Sequence, residues 1–565
     1  MFVDARRLDD NSTIEADVCI VGGGAAGITL ALQFDKKGIR TCVVESGGFR
    51  PDRATRDLYR GESIGIPYGF ADGCRSRFLG GSSNCWGGWC RPLDEHDFER
   101  RPWINHSGWP FEKSELLPYY ERSRDILKLG PNRYDTDFWV AAIDRTYVRR
   151  IPFATGAVVD KISQFSPPMR FGHFYRNDLA RSTVITVLLH ANAVDIEVER
   201  DGPKVRAIKV ATLTGRTARV TATIFVLAAG GIENPRLLLA SNKIQPAGLG
   251  NENDLVGRFF MDHVQLFSGQ IRFRAEWARN KLYDEKYSYH SRDVAAYDTC
   301  VAGQFMLAPH IQQRERLLNA QMWFSSTFPG EHSATADALI RLRRRVGQRA
   351  APASSISRDL LAVVAHPIVT TEFIIAKGLS PRLLFRVGPR LLFRGCTFHA
   401  IVEPLPDPES RVTLSDQRDR LGMNRVQVNW RLDSLVKRTF DRTITLIARE
   451  LSNAGVADVS LDPPIGDGEW PDTFGEEGAW HHIGTTRMHD SAKFGVVDRH
   501  CRVHGVKNLY VSGSSVFPTA GGNFPTITII ALALRLADHI AEQLSVPLSG
   551  VLGENHDTRG NHRRV

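Results

Sequence analysis

Val18–Glu45 reads VCIVGGGAAGITLALQFDKKGIRTCVVE, and its reading decides the fold. Val18–Cys19–Ile20–Val21 is an apolar run short enough for a buried strand. Gly22-x-Gly24-x-x-Gly27 follows and opens a helix-length segment, with Lys36 and Lys37 in its last turn and Gly38 as a stop. A second apolar run, Thr41–Val44, ends in Glu45. The order is strand, glycine turn, helix, strand, acid. The first glycine makes a tight turn, the second lets a pyrophosphate approach the backbone, and the third lets helix and strand pack closely. The helix N-terminus offers free N–H groups to phosphate, and Glu45 stands where a ribose hydroxyl pair is taken. Context, spacing and terminal acid agree on a dinucleotide site in an α/β fold.

The rest of the chain is ordinary in composition and local in its exceptions. At 565 residues it can bury more than one core. Hydrophobic residues at 42% and charged residues at 24% are those of a globular protein. No apolar run reaches the ~18 residues of a spanning helix. MFVDARRLDDNSTIEADV carries early acids and no apolar h-region, so no secretion signal is expected. The 8 cysteines are irregularly spaced, with no CxxC pair, which predicts a reducing, cytoplasmic setting rather than a disulfide framework. Net charge is +9, with the arginine excess concentrated in one internal segment and the extreme C-terminus, so no nucleic-acid groove is expected.

Arg75–Trp89, RSRFLGGSSNCWGGW, is too glycine-rich for a regular element and reads as a loop facing a cofactor. Lys113–Leu129 has helix periodicity, with Pro118 tolerable in its first turn. Thr183–Leu189, Asp195–Val198, Val205–Leu213 and Arg219–Leu227 read as strands. The last runs into VLAAGGIENPRLLLAS, Val226–Ser241, a second strand–glycine–helix approach to a ligand, with Pro235 placed in the helix's first turn. Leu255–His263, LVGRFFMDH, is a further turn and strand. From about 266 to 469 the pattern is strands with interspersed helices, suiting a second domain. Within it, 338–394 sets arginines such as Arg341, Arg345, Arg386 and Arg394 among aliphatics. This reads as an arm with a solvated basic face or as a membrane-surface or oligomer contact. Residues 479–540 return to the first domain's style, and 546–565 read as a mobile polar tail. The fold class is α/β, with a dinucleotide-binding domain built from 1–265 and 470–545 and a substrate domain from 266–469 based on a β-sheet with flanking helices.

Four blocks in order resemble the glucose–methanol–choline (GMC) family of FAD-dependent oxidoreductases: GGGAAG with Glu45, LGGSSNCWGG at 79–88, VLAAGGIENPRLLLAS, and HHIGTTRM through SGSSVFPT to FPTITIIALALRLADHI. WGGWCRPL and EPLPDPESRVTLS look closest to the bacterial sugar- and glycoside-oxidising branch. The resemblance implies that Gly22, Gly24 and Gly27 hold the FAD pyrophosphate and Glu45 the adenosine ribose. It places Val194 beside the adenine, and Gly80, Gly81, Ser83, Asn84, Cys85 and Trp86 along the flavin and pyrophosphate. Ala229, Ser514 and Ser515 make further cofactor contacts, and Asn523, Phe524 and Thr526 face the flavin. The family's base stands three residues before the Gly of H-x-x-G-T, which here is His481, with His482 its rival; alcohol oxidation needs a neutral base to take the hydroxyl proton. The usual partner of that base falls on Phe524, leaving Asn523 or His482 to fill the role. Cys85 stands where some members tether the flavin to histidine, so FAD is expected to be non-covalent. No residues have metal-ligand spacing.

Three functions compete: FAD-dependent oxidation of a CH–OH group of a sugar or glycoside, with O2 or a quinone- or dye-like acceptor; a pyridine-nucleotide dehydrogenase; and a basic membrane-associated flavoprotein with little turnover. FAD oxidation of a non-sugar alcohol is the nearest variant of the first. The C-terminal block favours FAD over a pyridine nucleotide, and the retained histidines favour an enzyme.

Overall fold

In a computed structural model of the protein, residues 1–69, 75–199, 202–288, 292–327, 333–346, 356–378, 395–462 and 479–545 are described. The tail expected at 546–565 and parts of the arm expected at 338–394 lie outside them.

Two sheets organise the chain, each over its own core. The first is built on Ser12–Val21, whose last residues Val18–Val21 are buried on both faces, as a parallel strand requires. Across it the order is Phe2–Asp4, Ile185–Leu189, Thr41–Val44, Ser12–Val21, Thr217–Leu227, Val205–Ala211 and Asn192–Val198. The first five run parallel and the last two pairings are antiparallel. Thr217–Leu227 is long enough to serve both halves. Its first residues pair with Val205–Ala211, and Phe225–Leu227 pair with Leu509–Val511 from the far end of the chain. The C-terminal helix Thr526–Ser545 packs against Ala25–Asp35 and Leu117–Leu127. The glycine-bounded unit is therefore completed only by residues about 500 positions later.

The helix expected over Lys113–Leu129 divides at Pro118 into a 3-10 turn, Lys113–Leu116, and an α-helix, Leu117–Leu127, where the proline occupies the first turn. Pro235 is placed differently from expectation. The helix begins earlier, at Gly230, so Pro235 lies inside Gly230–Ala240. Its missing N–H frees the carbonyl four residues back, Gly231 O, and that oxygen accepts Thr485 Oγ1–H at 2.6 Å.

The second sheet is antiparallel, in the order Val264–Ser268, Gly395–Val402, Ala320–Thr327, Thr299–Leu307, Val158–Phe165 and Trp89–Cys90. Its last two strands come from the stretch 1–265 expected to form the dinucleotide domain, so that stretch serves both sheets. Alternation divides the faces. Val264, Leu266, Met322, Phe324, Phe398 and Ala400 turn into the second core, where they meet Phe440, Ile444 and Ile447 of the helix Ser434–Asn453. The opposite face carries Gln265, Phe267, Gln321, Trp323, His399 and Ile401, and the register sets Phe267 and Trp323 on either side of His399. This mixed polar and aromatic face looks toward the first sheet. In the arm, helices Ala334–Val346, Ile356–Ala365 and Pro367–Gly378 pack on one another around Ala336 and Phe373. Among the described residues no helix is long and apolar enough to cross a membrane.

Candidate active site

A cavity of about 480 Å³ lies between the glycine turn of the first sheet and the mixed face of the second. Three helices begin at its wall: Ala25–Asp35, Gly230–Ala240 and Thr526–Ser545. Gly24, the N-cap of the first, provides no side-chain cap, so the opening N–H groups of that helix are left for a ligand. Gly22 takes φ +112, and a Cβ there would stand 2.6 Å from Ala228 O. A Cβ on Gly27 would lie 1.9 Å from Gly22 O, so the turn closes only without side chains. Buried Glu45 accepts N–H bonds from Gly23 at 3.0 Å and Gly47 at 2.8 Å, and burial pushes its carboxyl up from the ordinary range.

Flanking this end is a cationic cluster that the sequence reading did not find. Arg75 and Arg77 stack on the Tyr59 ring, at 4.0 and 4.8 Å from its centre. Both pair with Glu233, at 3.0 and 3.1 Å; Arg236 reaches Glu233 at 3.2 Å and Asp419 at 2.7 Å. Three guanidinium groups outweigh burial and hold the Glu233 carboxyl down at about 2. Arg77 also faces the Glu45 carboxyl, so Glu233, Asp419 and Glu45 match the three guanidinium groups beside the cavity. A free helix N-terminus, a side-chain-free glycine turn and a buried acid beside a cluster of arginines together fit a dinucleotide such as FAD.

Of the residues singled out for the cofactor, Gly22, Gly24, Glu45, Gly81, Ser83, Cys85, Trp86, Ala229, Ser514, Phe524 and Thr526 line the cavity. Gly27, Gly80, Asn84, Val194 and Ser515 do not. Gly80 binds the glycine loop to the first turn, its N–H donating to Gly23 O at 2.8 Å. Asn84 Nδ2 donates to Leu79 O at 3.1 Å, and Ser515 Oγ accepts from Asn234 Nδ2 at 3.1 Å. Val194 sits at a register shift between the pairs Ala193↔Val210 and Asp195↔Lys209, and Ala191 and Ala193 reach the wall instead.

At the other end the two histidines face different neighbours, and the backbone explains why. Met261 and Ile483 exchange both N–H···O bonds, each at 3.0 Å, in an isolated antiparallel bridge. Counting out from that bridge, His263 stands opposite His481. Asp262 and His482 fall on the other side of the ribbon. His263 Nδ1 lies 3.0 Å from His481 Nδ1, and His263 Nε2 lies 2.8 Å from Gly521 O. Asp262 accepts the His481 backbone N–H at 2.7 Å and the Tyr68 hydroxyl at 2.6 Å, while burial pushes its carboxyl up to about 7. The His482 ring meets Tyr68 edge-on and lies roughly parallel to Phe260, and its Nε2 has no hydrogen-bond partner among the described residues. Burial holds all three imidazoles neutral: His263 down to about 4, His482 to about 3 and His481 well below its ordinary value, the last helped by its two neighbours.

His481 and His482 both touch the cavity, but Asn523 does not. Asn523 is fully buried, donating to Pro92 O at 2.8 Å and accepting from Gln321 Nε2, which turns its amide away from His481. Phe524 lies beside His481, edge-on to its ring at 5.5 Å and stacked on Trp89 at 5.1 Å. Trp89, Trp480 and Gln265 complete this end of the wall. Behind it Glu285 accepts from Trp323 Nε1 at 2.6 Å and Ser325 Oγ at 2.8 Å and lies 3.2 Å from His399 Nδ1. Among the described residues no cluster of three or more His, Cys, Asp or Glu could hold a metal ion.

The H-I-G-T segment is clamped onto the helix Gly230–Ala240. A Cβ on Gly231 would lie 2.3 Å from His482 O, and that same carbonyl accepts Ser514 Oγ–H at 2.6 Å. Thr485 closes the contact through the carbonyl freed by Pro235.

Comparison with known proteins agrees with this geometry. Residues 17–247 match the family model described as FAD dependent oxidoreductase, and 406–533 match that described as GMC oxidoreductase. A 2-methyl-1,2-propanediol dehydrogenase of Mycolicibacterium austroafricanum is 25% identical, with 94% of this chain and 96% of that protein aligned. The fructose dehydrogenase large subunit of Gluconobacter japonicus is 22% identical over 94% of this chain and 99% of its own. A C-glycoside 3-oxidase of Microbacterium trichothecenolyticum is 34% identical over 25% of this chain and 26% of its own. Among solved structures, formate oxidase superposes with a TM-score of 0.54 at 16% identity, covering 95% of this chain and 99% of that one. The chain belongs to the GMC-type FAD-dependent oxidoreductases, enzymes of alcohol and sugar donors.

Proposed function

We propose that the protein oxidises a CH–OH group of a sugar or glycoside, with His481 as the base and FAD held without a covalent link. The observation that carries this is the setting of His481. One ring nitrogen is engaged by His263, the ring borders the cavity beside Phe524, and burial keeps it uncharged. A neutral imidazole accepts the substrate hydroxyl proton. Gly22 and Gly24 would hold FAD at the glycine turn and Glu45 its ribose, and the flavin would supply the oxidant for the adjacent C–H bond. Trp89, Phe524 and Trp480 offer flat apolar surfaces for a sugar ring, and Gln265 offers an amide for its hydroxyls. His482 sits on the opposite side of the ribbon and packs on Tyr68 and Phe260, a supporting place. Asn523 supports the loop that carries Phe524.

Anaerobic mixing with a panel of sugars, glycosides and simple diols tests the reading. A sugar or glycoside should bleach the yellow colour fastest, and a diol that does so faster would move the substrate class to non-sugar alcohols. Readmitting air and then a quinone identifies the acceptor. Acid precipitation should leave the flavin in the supernatant, since the tethering position is Cys85; colour in the pellet would refute non-covalent binding.

The domain division stays as proposed, with 1–265 and 470–545 mainly holding FAD and 266–469 mainly shaping the substrate side. Seven described cysteines are free, which supports a reducing, cytoplasmic setting. The arm is an accessory contact surface. Leu361, Val364 and Ile368 are 70%, 75% and 75% exposed, and residues 334–394 carry eleven Lys and Arg against three Asp and Glu. This combination suits an anionic lipid surface. Cosedimentation with anionic but not neutral vesicles tests it, and self-association without vesicles would assign the face to a second copy.

A further inference from the structure

We infer that His263 is a positioning residue that fixes His481 in the tautomer carrying its proton on Nδ1, so that a bare Nε2 is presented to the cavity. The inference rests on the reading of His481 as the base.

The protons are set outward from the one hydrogen-bond partner whose role is fixed. A carbonyl oxygen only accepts, so the 2.8 Å contact to Gly521 O requires a proton on His263 Nε2. His263 is fully buried and neutral, so its other nitrogen is bare and accepts. The nitrogen 3.0 Å from it, His481 Nδ1, must then donate. His481 is itself neutral, so with its one proton on Nδ1 its Nε2 carries a lone pair. The chain of donors therefore ends in an acceptor, as a general base requires. Had the order been reversed, with His263 donating from Nδ1, His481 would present an N–H to the substrate and could not take its proton.

The anchor of this chain is well held. Gly521 N–H faces Glu403 Oε1 at 3.3 Å, and Glu403 is paired bidentately with Arg101 at 2.6 and 2.7 Å in the interior. A Cβ on Gly521 would meet Leu93 and Asp97 within 3 Å, so the loop has one place to sit. On the other side, His263 owes its position to the Met261–Ile483 bridge. Three segments distant in sequence, around 263, 481 and 521, thus set one proton.

Two substitutions separate this role from simple packing. In His263→Asn the side-chain oxygen can stand where Nδ1 stood, preserving an acceptor for His481. In His263→Gln the amide can reach Gly521 O, preserving that tie and losing the acceptor. His263→Leu preserves neither. Stopped-flow bleaching of the flavin should stay within roughly 3-fold of the natural rate for Asn. It should fall roughly 10-fold or more for Gln and Leu, less than the ~10²–10⁴ worth of the base itself. Rescue by Gln and not by Asn would overturn the inference and make His263 a structural tie to the loop. Natural rates in all three would overturn it as well.

A second readout needs no turnover. In protein labelled with [15N]histidine, with His481→Gln used to assign the resonances, His481 should show a protonated Nδ1 and a bare Nε2. A protonated Nε2 would refute the inference even if every variant misfolded. Should no sugar or alcohol bleach the flavin, the reading of the enzyme fails while this tautomer can still be measured on its own.

Discussion

Replacing Gly231 with alanine should slow the enzyme while barely destabilising it. The added Cβ would lie 2.3 Å from His482 O and 2.7 Å from His482 C, with both obstacles in backbone. Ordinary carbon–oxygen contact is about 1 Å longer, so the segment carrying His481 must lift by roughly that amount. It cannot lift freely, because His482 O is held by Ser514 and Gly231 O by Thr485. Overpacking costs about 1–3 kcal/mol, but alanine recovers close to 1 kcal/mol of helix propensity. The net loss of stability is then about 0–2 kcal/mol. A 1 Å displacement of a catalytic group is worth about 10²-fold in rate. Gly230→Ala is the control. Gly230 has φ +88 and nothing within 4 Å of its added Cβ, so it carries backbone strain of about 1–3 kcal/mol without pushing on His482. The expected pattern is crossed: Gly231→Ala loses flavin-reduction rate, and Gly230→Ala loses stability. Stopped-flow bleaching and urea denaturation read the two. A natural rate in Gly231→Ala, or an equal loss of rate in Gly230→Ala, would show that the helix Gly230–Ala240 does not set the position of His481.

Acid should destabilise the fold through its buried histidines. A neutral His482, held near 3 against about 6.5 when unfolded, stabilises fully above that value and progressively less as pH falls toward 3. His482→Phe should thus remove about 1.4 kcal/mol per pH unit of the acid slope between pH 6 and 4, read by urea denaturation; an unchanged slope would refute the neutral assignment. Asp262 opposes this trend, its raised carboxyl contributing stability that is lost as pH rises from about 4 to about 7, so Asp262→Asn should steepen the acid loss. Glu403→Gln leaves Arg101 buried without its counter-charge and should cost about 3–5 kcal/mol by denaturant midpoint, against at most about 1 kcal/mol for the surface pair Arg258–Asp254. Cys85 is the exposed cysteine among the described residues and borders the cavity, so a thiol reagent should label it in flavin-stripped protein and FAD should protect it; equal labelling with and without FAD would place the cofactor elsewhere.

The first sheet was legible because its signals are local. A strand, three glycines, a helix and an acid fall within 28 residues, and Gly27 answers a contact with Gly22 five positions away, although the contact that Gly22 itself answers is with distant Ala228. The end carrying His481 was legible only in part. His481 and His482 stand in an identifiable segment, but which side of the ribbon each takes depends on the Met261–Ile483 bridge, and no periodicity spans that separation. His263 was passed over for the same reason. LVGRFFMDH reads as a turn and strand, and a histidine beside an aspartate at its end is the available signal. Asn523 and Phe524 show the limit at its sharpest. Register points to Phe524 and residue type to Asn523, whereas their places are decided by Pro92, Gln321 and Trp89. The cationic cluster on Tyr59 was hidden because its members, Arg75, Arg77 and Arg236, come from two separate segments and converge on one carboxylate.

The pairing of Leu509–Val511 with Phe225–Leu227 and the packing of Thr526–Ser545 on Ala25–Asp35 have a consequence for biosynthesis. A ribosome adding about 5–20 residues per second needs roughly 25–100 s to travel from the glycine turn to the helix that covers it. Throughout that interval the nascent chain presents Val18–Val21 and Thr41–Val44 without their closing layer. It also lacks the segment that brings His481. Cofactor capture should therefore come late, after the segments that close the first sheet and carry His481 have been made. The newborn protein should be most vulnerable to proteases and aggregation just before it, and FAD supply should set the yield of intact protein more than the rate of its synthesis.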